Sequence, residues 1–318
     1  MQALEFSAIG SLESLQLRQR PKPAPQADEV LVEVRATGVN PSDIKNVQGL
    51  FPYTTVPRIP GRDFAGVVVE GPTELLGKAV WGGTGKGFGF YQDGCHAEYV
   101  VVPANAVARL PQSLSFAQAA TCGVPFITAW DALERSQVKA GTRTLIIGAG
   151  AVARAAHVLA QARGAEVVLA ARRVEVVQEL QAQGIRAFQL ADGEQLPEQA
   201  RAHFNQQAPE VIFETTGFWL AAAVNSLDTF GRIAIIAAAK GGLTTLPSLN
   251  LYRRGGSIVG VNSLLYSLEE CANMLTHIGA AFDAGLPAPS GFIEIPLNEA
   301  VTAYHRVSQG SEKIVLIP

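Results

Sequence analysis

Hydrophobic and polar residues alternate in short runs over the first hundred positions of the chain. Residues 29–36 (EVLVEVRA) alternate with period two, which is typical of a half-buried strand. Glycine and proline separate this run from similar ones, and many short strands joined by turns indicate a barrel-like β domain. Further strands are predicted at 64–70, 78–81 and 97–102.

The pattern changes near Pro125, where apolar runs begin to alternate with segments of helical periodicity. Such alternation predicts an α/β unit, a doubly wound parallel sheet with right-handed crossovers. The predicted strands are 144–147, 166–170, 211–214, 232–237 and 257–261, and the predicted helices are 128–136, 151–163, 174–183 and 219–227.

The tail predicts a strand from Phe292, a helix at 297–308 and a last strand at 313–317. We expect this tail to rejoin the first domain. The predicted organisation is one domain made of residues 1–124 and 265–318, with residues 125–264 inserted as the α/β unit. The conformations of three loops, 46–58, 82–94 and 264–291, do not follow from the sequence.

Charge and composition exclude several classes of partner. The formal net charge is -3 and no block of basic residues occurs, which argues against nucleic acid. The apolar run at 233–239 is far shorter than the roughly 20 residues that span a bilayer. The start lacks the pattern of a signal peptide, and three scattered cysteines do not form a disulfide framework. We therefore expect a cytoplasmic protein whose partner is a small molecule.

A glycine-rich turn follows the strand at 144–147 and opens the next helix. Glycines permit a tight turn and a close backbone approach, and the helix N-terminus offers unpaired N–H groups to a pyrophosphate. In this strand–turn–helix context, G-x-G-x-x-A predicts a dinucleotide site of the Rossmann type. The predicted pyrophosphate-binding residues are Gly148, Gly150, Ala151, Val152 and Ala153.

The end of the second strand of this unit indicates which dinucleotide binds. An NAD site usually places an acidic residue there for the ribose 2′-hydroxyl, but here Arg172 and Arg173 follow two alanines. A guanidinium can hydrogen-bond a phosphate bidentately, so the sequence predicts NADP(H). Because ligands lie at the carboxyl ends of parallel strands, other cofactor-binding residues are predicted there or at the entering helix: Thr128, Thr216, Gly217, Ala237, Ala238, Asn262 and Ser263.

Short motifs along nearly the whole chain resemble the medium-chain dehydrogenase/reductase superfamily, and within it the quinone oxidoreductase-like branch. They fall in family order: TGVNPSD at 37–43, PGRDFAG at 60–66, AEYV at 97–100, TAW at 128–130 and KIVL at 313–316. The resemblance implies a GroES-like β-barrel domain into which the Rossmann domain is inserted, with the active site in the cleft between them. It also implies a homodimer, with edge pairing of the strand at 257–261 as one arrangement.

Two departures from the zinc-dependent members of that superfamily indicate a zinc-independent enzyme. Those members carry a ligand cysteine where this chain has Asn40 or Pro41, and a His-Glu pair where it has Arg62 and Asp63. Without such ligands the Lewis-acid zinc used in alcohol oxidation is not expected. We therefore predict no metal-binding residues in this chain.

The resemblance implies hydride transfer from NADPH to a quinone or an α,β-unsaturated carbonyl. Asn40 is the first catalytic candidate, since its amide can donate to the acceptor oxygen, and a turn residue before Pro41 is the alternative. Tyr53 is the second candidate, as a donor or proton source, or else a packing residue. Arg62 either faces an anionic substrate or pairs with Asp63.

Two other functions remain open at this level. The segment GVNSL at 260–264 is similar to acrylyl-CoA reductase-like proteins, so the reduction of an enoyl thioester is one alternative. A non-catalytic NADPH-binding sensor is the other, because a fold alone does not establish catalysis.

Overall fold

The computed structural model describes residues 1–310 and 312–318, and it divides into two compact units. The first unit comprises Met1–Ile127 and Ser263–Pro318, and the second comprises Thr128–Asn262. In the part of the chain described, no helix has the length and apolar character needed to cross a membrane.

The first unit is built mainly of β-structure. Its strands are β1 (Gln2–Phe6), β2 (Leu15–Gln19), β3 (Glu29–Val39), β4 (Asp63–Glu70), β5 (Ala79–Gly83), β6 (Tyr99–Pro103) and β7 (Ala108–Arg109), with β14 (Ile293–Pro296) and β15 (Ile314–Ile317) from the tail. Its helices are α1 (Pro41–Val47), α2 (Phe116–Ala119), α9 (Leu268–Asp283) and α10 (Ala300–Ser308). Helix α3 (Gly123–Arg135) begins in this unit and ends in the second.

Strand β3 organises the main sheet of the first unit. The order is β14-β15-β3-β4-β5-β7, with β6 also paired to β3, while β1 and β2 form a separate hairpin sheet. The tail strand β15 pairs with the end of β3 in antiparallel register, with Ile314 opposite Val39. The tail strand β15 therefore belongs to the main sheet of the first unit. Apolar side chains of β3 are buried in a cluster in which Val30, Val32 and Val34 pack with Phe64 of β4, Val80 of β5 and Val100 of β6.

The second unit alternates strands and helices. Its strands are β8 (Arg143–Ile147), β9 (Glu166–Ala171), β10 (Ala187–Gln189), β11 (Val211–Glu214), β12 (Arg232–Ile235) and β13 (Ser257–Gly260). Its helices are α4 (Ala151–Ala162), α5 (Val174–Ala182), α6 (Leu196–His203), α7 (Leu220–Ser226) and α8 (Ser248–Arg253).

All strand pairs of this second sheet are parallel, and their order is β10-β9-β8-β11-β12-β13. Within this sheet the path begins at the central strand β8 and proceeds through β9 to the edge strand β10. It then returns to the centre at β11 and proceeds through β12 to the opposite edge strand β13. The doubly wound fold predicted from the sequence is therefore confirmed. The reversal lies between β8 and β11, which is where such sheets bind ligands at the carboxyl ends of the strands.

Several elements were not predicted from the sequence, among them α1, β10, α6 and α8, and the longest of the unpredicted elements lies within residues 264–291. Residues 264–291 were expected only as a loop, but Leu268–Asp283 form the 16-residue helix α9. Ser267 caps this helix by accepting from the Glu270 N–H, while the Glu270 carboxylate accepts from the Ser267 N–H. The S-x-x-E spacing was a usable signal for a helix start, and the buried face of α9 then packs on the first unit.

Candidate functional site

The glycine turn after β8 packs against the turn that follows the neighbouring strand β11. Gly148 has φ +123°, and a Cβ atom added there would lie 2.1 Å from Thr215 Oγ1. The Thr215 hydroxyl in turn donates to the carbonyl of Ile147 at 2.7 Å. Only glycine therefore allows the turn and the threonine to approach so closely.

Gly150 occupies a different environment from Gly148. It precedes α4 as the N-cap residue, no side chain caps the helix there, and an added Cβ would meet no protein atom within 4 Å. The first N–H groups of α4 thus adjoin open space at the positive end of the helix dipole. This is a cradle that fits a pyrophosphate, formed by residues 148–153, while Ala153 is itself fully buried behind it.

The turns after β11 and β12 meet beside this cradle. Gly217 has φ +82°, and a Cβ there would lie 2.5 Å from the carbonyl oxygen of Ala238. The fold thus brings together the predicted cofactor-binding residues at 148, 216–217 and 238. Asn262 follows β13, whereas Ser263 belongs to the first unit, as the unit division shows.

Glu214 is a buried residue of this site that the sequence interpretation missed. Its carboxylate ends β11 and accepts hydrogen bonds from the N–H groups of Thr216 and Gly217 at 2.8 and 2.7 Å, and from the Thr216 hydroxyl. It therefore fixes the shape of the turn predicted to contact the dinucleotide. An acidic residue at the end of a buried strand, directly before Thr-Thr-Gly, was the available signal.

The end of β9 presents two exposed guanidinium groups. Arg172 and Arg173 directly follow Ala171, and both side chains are exposed. Among the residues described, neither guanidinium forms a hydrogen bond or an ion pair, although other surface arginines such as Arg154 do. Both are consequently available to a phosphate group on a bound ligand.

In the first unit, Asn40, Asp43 and Asp63 form one buried hydrogen-bond network. Asn40 Nδ2 donates to Asp63 Oδ2 at 2.8 Å, and the Asn40 backbone N–H donates to Asp43 Oδ2 at 2.8 Å. Asp63 Oδ1 and Oδ2 also accept from the N–H of Val124, at the start of α3, at 2.8 and 2.9 Å. The network links β4, α1 and α3 around the Asn40 amide.

Arg62 pairs with Asp43 and not with Asp63, which corrects the pairing considered from the sequence. Arg62 Nε lies 3.1 Å from Asp43 Oδ1, and both side chains are 2% exposed. Its Nη2 donates to Ser42 Oγ, and the guanidinium lies over the ring of Phe90. Asp43 is the better partner because it reaches Arg62 from α1, while the Asp63 carboxylate is directed to Asn40 and Val124.

The buried environment changes the pKa of Asp63. Burial raises the pKa of this carboxyl to about 7, although the hydrogen bond from Asn40 lowers it, and the neighbouring Asp43 adds to the rise. Both groups that contact the carboxylate are N–H donors, and a protonated carboxyl would need an acceptor instead. Above pH 7 the network therefore contains a charged Asp63 that is fully matched by donors.

Tyr53 lies in an aromatic cluster of the same unit. Its ring contacts Phe51 and Phe90 with centroid distances of 5.9 and 5.2 Å, and 41% of the residue is exposed. Burial raises the pKa of its hydroxyl, and the Arg62 charge lowers it. The structure thus places Tyr53 near Arg62, in a partly exposed apolar wall.

Cys95 and His96 are adjacent residues of types that can bind zinc, but both have other partners. His96 Nε2 lies 3.1 Å from the carbonyl oxygen of Gly38, and the Tyr304 hydroxyl lies 2.9 Å from His96 Nδ1. Burial lowers the pKa of His96, so the neutral ring donates from Nε2 and accepts at Nδ1. Cys95 Sγ contacts the Thr37 hydroxyl at 3.2 Å. These contacts support the end of β3, next to Asn40.

Two family models match the chain. The alcohol dehydrogenase GroES-like domain matches residues 26–112, and the zinc-binding dehydrogenase model matches residues 151–279. The first match lies within the β-rich unit, and the second covers most of the parallel sheet and α9. In residues 1–310 and 312–318, no group of three or more His, Cys, Asp or Glu side chains could hold a metal ion.

Several known proteins are similar over most of their length. A zinc-type alcohol dehydrogenase-like protein of Schizosaccharomyces pombe is 37% identical over 276 residues, which is 85% of this chain and 81% of the relative. The quinone oxidoreductase of Homo sapiens is 28% identical over 98% of this chain and 95% of its own. An alcohol dehydrogenase superfamily structure from Novosphingobium aromaticivorans has a TM-score of 0.89 at 28% identity, covering 100% of this chain and 99% of that one.

Proposed function

The chain belongs to the medium-chain dehydrogenase/reductase superfamily, and from this premise we propose that it is a zinc-independent enzyme that uses NADPH to reduce a quinone or an α,β-unsaturated carbonyl. It is an oxidoreductase, as its relatives are. The choice of NADPH, the independence from zinc and the acceptor class are the parts that we propose. The observation that carries the proposal is the buried network of Asn40, Asp43, Arg62 and Asp63.

The residues of this network do not fit a catalytic zinc. An amide and a guanidinium replace the sulfur and imidazole ligands that zinc prefers, and a guanidinium cannot ligate a cation. The carboxylates of Asp43 and Asp63 are already directed to N–H donors. Loading the site with zinc would require breaking these buried hydrogen bonds. No step of the proposed reaction therefore depends on a metal.

The cofactor site fits NADPH by two independent features. The cradle at 148–153 provides space and helix N–H groups for a pyrophosphate, and the free guanidiniums of Arg172 and Arg173 provide donors for a 2′-phosphate. When bound, NADPH supplies the hydride. The name of the human relative, quinone oxidoreductase, supports an acceptor with a conjugated carbonyl.

Asn40 is the residue that we propose to act on the acceptor. Negative charge develops on the acceptor's carbonyl oxygen during reduction, and a fixed neutral donor stabilises it. One Nδ2 hydrogen of Asn40 is engaged by Asp63, and the second has no hydrogen-bond acceptor among the described residues. That second hydrogen is free to donate to the substrate oxygen. Tyr53, a partly exposed residue whose ring packs on Phe90, is the proposed proton source.

Turnover with a panel of acceptors tests the proposal. The purified chain, without added zinc and in the presence of a chelator, is mixed with NADPH and a para-quinone, an enone or an enoyl-CoA, and loss of the reduced nicotinamide absorbance is followed. We expect oxidation of NADPH with the quinone or the enone, and slower oxidation of NADH. Turnover of the enoyl-CoA alone would identify a thioester reductase. NADPH binding without turnover of any acceptor would identify a binding protein.

We also propose that the protein is a cytoplasmic homodimer that forms through β13. This strand is the edge of the parallel sheet, and within residues 1–310 and 312–318 it pairs only with β12. Ser257 and Val261 donate inward to the carbonyls of Gly231 and Ile235, so by alternation the N–H groups of Ile258 and Gly260 point outward. An exposed edge of this kind can pair with a second copy about a twofold axis.

Substitutions at Gly260 test this dimer. Gly260→Pro removes an outward N–H and is expected to yield a monomer of 33.6 kDa by light scattering. Gly260→Ala is the matched control and is expected to remain a dimer, because an added Cβ at this position meets no atom within 4 Å. A monomeric wild type, or a proline variant that still has twice the chain mass, would contradict the proposed interface.

A further inference from the structure

Three glycines on three different elements surround the Asp63 side chain. A Cβ atom on Gly123 would lie 2.2 Å from Asp63 Oδ1, and one on Gly83 would lie 2.9 Å from the same oxygen. A Cβ on Gly38 would lie 3.6 Å from the Asp63 Cβ and 2.3 Å from the carbonyl of Ala120. At these glycine positions the backbones of β3, β5 and α3 pack directly against the Asp63 side chain. Asp63 itself is 1% exposed.

The enclosure restricts the carboxylate to the partners that it has. Water does not compete at a carboxylate buried to this degree, so its charge is matched by Asn40 Nδ2, by the Val124 N–H and by the dipole at the start of α3. Charged or titratable groups near it are Asp43 on α1, Arg62 just before β4, and the buried thiols Cys95 and Cys122. Asn40 is the one side-chain hydrogen-bond donor to Asp63 among the described residues.

We infer that Asp63 is a positioning residue, which holds the Asn40 amide so that its second Nδ2 hydrogen is presented to the acceptor oxygen. The inference rests on the proposed function, since it assigns Asn40 a role in the reaction. An asparagine side chain without this partner rotates about its terminal torsion, and its oxygen and nitrogen can exchange places. The carboxylate removes that freedom because it accepts from the nitrogen and repels the amide oxygen. Preorganised donors are the ones that accelerate reactions.

A purely structural role for Asp63, as the cap of α3, is the competing explanation. The Val124 contact alone would satisfy that role, and it requires nothing of Asn40. The two explanations differ in how substitutions at positions 40 and 63 combine. If Asp63 acts through Asn40, its loss has no further effect on kcat once the Asn40 amide has been removed. If Asp63 only caps the helix, the two effects on kcat are independent.

A double-mutant cycle on the full chain separates these explanations. The variants are Asn40→Ala, Asp63→Asn and the double variant, with kcat and KM measured at pH 8 under saturating NADPH. We expect kcat to fall about 100-fold for Asn40→Ala, and on the order of tenfold for Asp63→Asn with a smaller change in KM. The double variant is expected to match Asn40→Ala. A kcat that falls by the product of the two single effects would overturn the inference.

Ser267→Ala provides the control for the loss of a helix cap. Ser267 caps α9 through an exposed hydrogen bond to the Glu270 N–H, and it has no part in the network. We expect this variant to lower the Tm without lowering kcat. An equal loss of kcat in Ser267→Ala would mean that general destabilisation explains Asp63→Asn, and it would count against the inference.

A measurement on the wild type makes the test independent of turnover and of whether Asp63→Asn folds. With 15N-labelled asparagine, the Asn40 amide is assigned by its absence in Asn40→Ala, and the Nδ2 hydrogen that Asp63 accepts is expected to be shifted downfield of a free asparagine amide and to exchange slowly with solvent. Two Nδ2 hydrogens with the chemical shifts and the fast exchange of a free asparagine amide would show that Asp63 does not hold the amide. A wild type that reduces no acceptor would contradict the proposed function. The spectrum would still show whether Asp63 positions the Asn40 amide.

Discussion

Replacing Arg172 by alanine is expected to raise the Kd for NADPH by about 10- to 100-fold, and to leave the Kd for NADH nearly unchanged. The exposed Arg172 guanidinium follows β9 directly and has no partner among the described residues. A hydrogen bond to a charged group contributes about 1.5–3 kcal/mol, which corresponds to this loss of affinity. A fluorescence titration with each dinucleotide measures both constants.

A graded series makes this prediction specific to a bound phosphate. Arg172→Lys keeps the charge but loses bidentate geometry, so its Kd for NADPH is expected to lie between those of the wild type and Arg172→Ala. Arg173→Ala tests the second guanidinium, at the N-cap of α5. If Arg172→Ala weakens NADH and NADPH equally, or neither of them, then Arg172 does not bind the 2′-phosphate.

Gly150→Ala is expected to weaken both dinucleotides by more than about tenfold while hardly changing the stability of the protein. The added methyl meets no protein atom within 4 Å, and the φ of -73° at this position is available to alanine. The free energy of unfolding should therefore fall by no more than about 1 kcal/mol, from the poorer helix cap. Affinity is lost because the methyl enters the space where the pyrophosphate binds.

Gly184→Ala is expected to show the opposite pattern in the same unit, at a glycine between α5 and β10. Gly184 has φ +76° in open space just after α5, so alanine there is strained by about 1–2 kcal/mol. We expect Gly184→Ala to lower the free energy of unfolding without altering the Kd of either dinucleotide. Urea unfolding and dinucleotide titration of both variants provide the comparison. Unchanged dinucleotide affinity in Gly150→Ala would show that nothing binds closely against the start of α4.

The two sites differ in how much of them the local sequence encodes. The cradle at 148–153 and the arginines at 172–173 are each contiguous, so a strand, a turn and a helix start are enough to recognise them. Glu214 is also local to its turn, and it was missed because a lone acidic residue at a strand end carries little signal. Helix α9 was missed although its cap Ser267 and Glu270 were readable. Both Glu214 and α9 could have been predicted, because the residues that indicate them lie within a few positions of each other in the sequence.

Sequence alone determined the alternation of strands and helices that gives the doubly wound sheet, and it predicted the residues that we propose to bind the dinucleotide. Tertiary structure decided that Asp63 contacts Asn40 across 23 positions and Val124 across 61, and that Arg62 turns to Asp43. Periodicity and turn chemistry depend on neighbours a few residues apart, and these are visible in the chain. The partner of a buried charge depends on which elements pack around it, and the glycines at 38, 83 and 123 acquire their meaning only when β3, β5 and α3 meet at one carboxylate.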